Sequence, residues 1–186
     1  TWKARLEEHL GSFQVELIRS RTANVMNDRL LLAGMLSSAT LINRFFPTGQ
    51  VYKEFYKSSE NLFDLLQFPD IWTLGYFKWE LEFLETLGFG LDLGKCAVTG
   101  STEDLKFISP KSGRAVSQAA AGEWVSKLLP FPKAATGQFN SLEDILDGLK
   151  VSQFFLEKKV LISFGMQHLP TARSRFISFI ERKIKN

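Results

Sequence analysis

A chain of 186 residues is long enough for one sizeable core, or one core with a small appendage. Its 45% apolar content, with 17 Phe and 4 Trp, excludes a disordered chain. One cysteine, Cys96, excludes an internal disulfide and fits a reducing compartment, and the net charge of +3 hides a strong segmental asymmetry.

Residues 2–19 read as two strands. Trp2, Ala4 and Leu6 alternate with Lys3, Arg5 and Glu7; Phe13, Val15 and Leu17 alternate with Gln14, Glu16 and Ile18. His9-Leu10-Gly11-Ser12 is the expected turn, because alternation of period two argues for an antiparallel pair. A lone hairpin is marginal, so a larger sheet or the helices must support it. No secretory signal is visible, and Thr1 stands where a Met would, so further residues are expected before it.

From about Asn27 the period changes to that of a helix. Leu30, Leu31, Ala33, Gly34, Leu36, Leu41, Ile42, Phe45 and Phe46 form a broad apolar stripe, stopped by Pro47-Thr48-Gly49. The run Leu30–Ile42 is too short and too rich in hydroxyls for a membrane span of about 20 residues, so a core helix is expected. A second helix covers about Val51 to Gln67, with Tyr52, Phe55, Tyr56, Leu62, Phe63, Leu65 and Leu66 inward. A third, about Asp70 to Leu87, carries Leu74, Phe77, Leu81, Leu84 and Leu87 as its stripe. Trp72, Trp79 and Phe83 fall off that stripe, which predicts a helix at the centre of a bundle. Glu80, Glu82 and Glu85 lie outside the stripe and read as a solvated or helix-pairing face.

Gly88, Gly90 and Gly94 end that helix, and a small knuckle follows. Lys106–Ser109 and Arg114–Ser117 are expected strands joined by Pro110-Lys111-Ser112-Gly113. A short helix near Gly122 to Leu128 ends at Pro130-Phe131-Pro132. The next helix starts at Asn140 or Ser141 as cap, with acids in its first turn, and runs to about Phe164. A last helix spans Ala172 to Ile184.

Catalysis finds little support. His9, His168 and Cys96 are the only candidates for a nucleophile–base pair, and no local motif surrounds them. Gly88-Phe-Gly90 lacks the lysine and following helix of a phosphate cradle. The chain is expected not to be an enzyme and to need no cofactor.

Charge is more telling. Residues 52–104 hold ten acids against four lysines, a balance of −6. Residues 105–135 and 171–186 each hold five cations against one acid, a balance of +4 in both. Lys106, Lys111, Arg114, Lys127 and Lys133 cluster around the knuckle, Arg173 and Arg175 open the last helix, and Arg19 and Arg21 follow the strands. Together they are the candidate DNA-binding residues, since phosphate binding requires many cations. The same charges would also suit ordinary solvated faces or acidic protein partners.

Two segments, LGFGLDLGKCAVTG (residues 87–100) and ISPKSGRAVS (residues 108–117), carry a family resemblance. Flanking segments agree in order: TWKARLEEHLGSFQVEL, NDRLLLAGMLSSATLINRFFP, KLLPFP, VSQFFLEKKVL and LPTARSRFI. The chain resembles the RecO family of bacterial recombination mediators. The resemblance implies a mainly α fold: a helical bundle at residues 22–186 with an inserted β-hairpin knuckle at 95–120. Residues 1–21 would be the closing strands of an otherwise absent N-terminal OB-fold.

The family often places two Cys-x-x-Cys pairs around a zinc in this knuckle. Here those positions are Cys96, Thr99 and, near the second pair, Ser117 and Ala120, so no metal is expected. The resemblance further implies a cytoplasmic, nucleoid-associated DNA repair protein without a membrane partner. Its partners would be single- and double-stranded DNA, the acidic C-terminal tail of single-strand DNA-binding protein, RecR and, indirectly, RecA in the RecF pathway. The rival functions are an interaction adaptor that binds acidic partners and never DNA, and an enzyme uniting Cys96 with a histidine.

Overall fold

A computed structural model describes residues 1–6, 11–18, 20–137 and 141–185. The fold is mainly α, with two small sheets. Strands β1 (Trp2–Lys3) and β2 (Ser12–Phe13) pair antiparallel, Trp2 opposite Phe13. They are far shorter than the alternation predicts. Phe13, Val15 and Leu17 are 74–82% exposed, so among the described residues nothing covers the apolar face that would extend the pairing. His9, part of the expected turn, lies outside the described residues.

Helix α1 (Arg29–Phe45) begins at Asp28, whose carboxylate accepts from the amides of Leu30 and Leu31 at 2.9 and 3.0 Å. It buries Leu31, Ala33, Gly34, Leu41 and Phe45, together with Ser37 and Ser38, and leaves Leu36 exposed. Helix α2 (Lys53–Asp64) runs into a 3-10 turn at Leu65–Gln67 and buries Phe55, Ser59, Leu62 and Leu66. Tyr56, expected inward, is exposed. Helix α3 (Pro69–Thr86) opens with a proline in its first turn, where a missing amide costs nothing.

Helix α3 packs on α1, α2 and α5 (Leu142–Phe155), and so occupies the centre of the bundle. Its most buried line is aromatic: Trp72, Tyr76, Trp79 and Phe83, at steps of four, three and four. The leucine stripe expected from the sequence is only partly inside, since Leu74, Leu81 and Leu87 are half-buried while Phe77 and Leu84 are buried. The larger rings take the centre because each removes more apolar surface from water. Their polar tips are satisfied: Trp72 Nε1 donates to Leu62 O and Trp79 Nε1 to Ser59 Oγ, both at 3.0 Å. Two glycines make room for rings. A Cβ on Gly34 would lie 2.3 Å from Trp72, and one on Gly148 2.6 Å from Phe77.

Strands β3 (Leu105–Ile108) and β4 (Ala115–Ser117) form the expected hairpin, with a bulge between Leu105 and Phe107. Its turn closes where Gly113, at φ +71°, donates to Ser109 O at 2.8 Å. A short helix α4 (Gln118–Ala121) and a 3-10 helix (Gly122–Lys127) follow. The sequence did not foreshadow β5 (Leu129–Pro130), which pairs on the free side of β3 to give the order β4-β3-β5. Pro130 reads as a break, yet an edge strand tolerates a proline.

The knuckle is docked on the bundle, with Ile108 and Ala115 both inside the main core. Cys96, Val116 and Ala121 form a second, smaller core within it. Asp92, just after α3, clamps the turn from below. Its amide donates to Gly113 O at 3.1 Å, and its carbonyl accepts from Ala115 N at 2.8 Å.

Helix α5 starts at Ser141, which makes no side-chain cap hydrogen bond; Asn140, the other expected cap, lies outside the described residues. A π-helical turn (Leu156–Val160) joins α5 to α6 (Leu161–Ser163). Helix α7 (Thr171–Lys185) then packs along α1 and α5.

Candidate nucleic-acid interface

The candidate cations divide by what holds them. Lys111 sits on the hairpin turn, Lys127 ends the 3-10 helix after α4, and Lys133 opens the next 3-10 turn (Lys133–Thr136). All three are exposed and have no ion pair among the described residues. Arg175, on the outer face of α7, is likewise exposed and unpaired among them. Lys106 is exposed on β3 but lies 3.6 Å from Asp104. It lines a groove with Leu93, Phe131 and Thr136.

Two arginines are engaged in holding elements together. Arg114 Nε donates to Asp92 Oδ2 at 3.3 Å, beside the backbone clamp of the knuckle. Arg21 donates to Asp64 at 2.7 Å and Glu60 at 3.4 Å, tying the N-terminal segment to α2. The hydrogen bond it donates to Asp64 raises the Arg21 pKa above its ordinary value. Arg19 lies outside the described residues.

Arg173 is a correction. It is 1% exposed, and its guanidinium forks onto Glu80 inside the bundle. Burial opposes that charge, but the Glu80 carboxylate outweighs it and raises the pKa. With its donors also given to Leu149 O and Gln153, Arg173 offers nothing to a phosphate. Glu80, read from the sequence as part of a solvated or helix-pairing face, is 0% exposed and pairs α3 with α7. The sequence held a signal for this pair. Arg173 lies three and seven residues before Phe176 and Ile180, and a carboxylate on a helix apolar on most sides needs a buried cation. Helix α7 packs on α1 and α5, so its remaining cations are not carried by the knuckle.

The positions assigned to zinc by resemblance converge around one sulfur. Ser117 donates to Cys96 Sγ from its amide at 3.3 Å and from its hydroxyl at 3.5 Å. Burial pushes the Cys96 thiol up, but hydrogen bonds from Ser117 and Thr99 prevail and bring it down to about 6. One thiol, two hydroxyls and the methyl of Ala120 do not make a tetrahedral zinc site. Among the described residues no group of three or more His, Cys, Asp or Glu could hold a metal. Of the candidate catalytic residues, Cys96 is buried, His168 is exposed and His9 is outside the described residues.

Trp124 was missed by sequence reasoning. It is 54% exposed beside the knuckle, and Lys127 Nζ lies 4.7 Å from its ring centroid. The signal was a tryptophan three residues before a lysine in a short segment between Gly122 and Pro130.

Among the described residues, no helix is long and apolar enough to cross a membrane. The family described as "Recombination protein O C terminal" matches residues 26–166. The "DNA repair protein RecO" of Ruegeria sp. (strain TM1040) is 46% identical over 99% of this chain and 77% of that protein. The protein of the same name from Jannaschia sp. (strain CCS1) is 45% identical over 99% of this chain and 75% of its own. That of Dinoroseobacter shibae is 44% identical over 97% and 75%. No solved structure matches the chain significantly. On these matches, and on a helical fold with its inserted knuckle, the chain belongs to the RecO family of DNA repair and recombination proteins.

Proposed function

We propose that this chain is a recombination mediator that binds DNA through its knuckle, anneals complementary strands and acts without covalent chemistry. The observation that carries the reading is the pair of exposed cations Lys111 and Lys127, which line one groove of the knuckle without ion pairs among the described residues, with Lys133 exposed on the 3-10 turn after β5. Cations so arranged gain affinity by releasing counterions from phosphates, independent of base sequence. The acidic excess resides on α2, α3 and the segment after α3, apart from these cations in sequence. In the same role the protein contacts the acidic tail of single-strand DNA-binding protein, joins RecR and assists RecA loading at the nucleoid.

The test is fluorescence anisotropy of labelled single-stranded and duplex DNA across a salt series, with an annealing assay run with and without single-strand DNA-binding protein. Binding whose log affinity falls linearly with log salt supports the proposal. Absent DNA binding, with retained binding to an acidic peptide, would replace it with an adaptor for acidic partners.

A further inference from the structure

A groove of about 360 Å³ opens on the outer side of the knuckle. Val98, Val116 and Leu128 contribute apolar walls, Trp124 offers a ring, and Lys111 and Lys127 stand in the lining. No carboxylate lines it among the described residues. Val98 is 70% and Trp124 54% exposed, so both remain in water at the groove. An apolar slot with a flat aromatic ring and two ammonium groups matches an unstacked nucleobase still attached to its phosphates. Every base has a π face, and stacking on an aromatic side chain is tolerant of sequence. The cations favour this occupant over an acidic peptide. Both are lysines, point charges suited to phosphate oxygens, and the groove has no arginine fork for the planar, bidentate grip that carboxylates favour.

We infer that this groove is a single-strand reading site: one base stacks on Trp124 while Lys111 and Lys127 hold the neighbouring phosphates. The inference rests on the DNA-binding reading above and adds a preference for unpaired strands. A duplex keeps its bases stacked inside and can use only the lysines. Lys127, now over the indole, turns to phosphate when a base takes its place.

The experiment measures binding of oligo(dT) and of a duplex of equal length by the full 186-residue chain and its Trp124→Ala and Trp124→Phe variants, with circular dichroism melting as a check on folding. Trp124→Ala should weaken oligo(dT) binding roughly 5- to 150-fold, the range expected for removal of one base stack, and change duplex binding by less than about two-fold. Trp124→Phe should recover most of the loss. In parallel, oligo(dT) should quench the tryptophan emission of a Trp2→Phe protein, whose Trp72 and Trp79 are buried, and not that of the Trp2→Phe, Trp124→Phe protein. An equal loss on both DNA forms, or no loss and no quenching, overturns the stacking site while leaving phosphate binding in place. Failure of the unmodified chain to bind either DNA overturns both readings. Trp124-dependent binding of an acidic peptide, without oligo(dT) binding, gives the groove to a protein partner.

Discussion

Arg173 grips Glu80 with two parallel hydrogen bonds, from Nε to Oε2 and from Nη2 to Oε1, each 2.7 Å long. The pair joins α7 to α3 in the buried interior. Ser152 from α5 also donates to Glu80, and Tyr76 bridges Glu80 at 3.2 Å to Ser37 of α1 at 2.7 Å. Burial and the Glu80 charge hold the Tyr76 hydroxyl well above its ordinary pKa, so it stays a neutral donor. Four helices thus meet in one polar network.

Arg173→Ala leaves Glu80 buried without its partner and should destabilise the fold by about 3–5 kcal/mol in urea. Replacing both residues with apolar ones, as in Arg173→Met with Glu80→Leu, should recover much of that loss. Below its melting temperature the single variant should keep the salt slope of DNA binding. A reduced slope without a stability loss would return Arg173 to the interface.

The aromatic line of α3 makes a second prediction. Phe83 is fully buried and Phe83→Ala should cost about 3–5 kcal/mol. Leu81→Ala, at a half-buried position, should cost clearly less. Gly34→Ala drives a methyl against Trp72 and should destabilise by about 1–3 kcal/mol through overpacking. Chemical denaturation of the three variants checks the order.

Lys111→Ala with Lys133→Ala should lower the slope of log affinity against log salt by about 0.7–0.9 for each phosphate left without its lysine. Arg114→Ala should lower it less, because Asp92 already offsets that guanidinium. Salt-series anisotropy separates the two; an equal fall per residue removed would mean that Arg114 leaves Asp92 on binding.

Cys96 carries the pH dependence. Its folded pKa, about 6, lies below the ordinary value of 9.0, so the thiolate is favoured by folding. The resulting stability is fully present above about pH 9 and is lost as pH falls through 6. The gap in guanidinium midpoint between the unmodified protein and Cys96→Ser should widen from about pH 5.5 to about pH 8.5. A constant gap would mean that the thiol does not titrate in this range.

Helix positions were legible because α1, α2, α3, α5 and α7 each carry a helical period and most end at Pro or Gly. The hairpin was legible from Pro110 and Gly113. The depth of each residue was not: periodicity ranks Leu81 with Leu84, and only the volumes of Trp79 and Phe83 decide which face turns inward. Nor does charge show its partner. Arg173 and Arg175 are two residues apart on one helix, yet one is fully enclosed and the other exposed. The third strand escaped notice because β5 is two residues long and contains a proline.

The Asp92 clamp has a kinetic consequence. With its amide and carbonyl both engaged by the hairpin, the backbone at Gly113 and Ala115 is fixed before any ligand arrives. Ordering of that backbone belongs to folding and not to association. A strand reaching Lys111 therefore meets a preformed surface, and the encounter is governed by diffusion and the local field. Raising salt should slow arrival more than it hastens departure, the pattern of a steered collision with a rigid target.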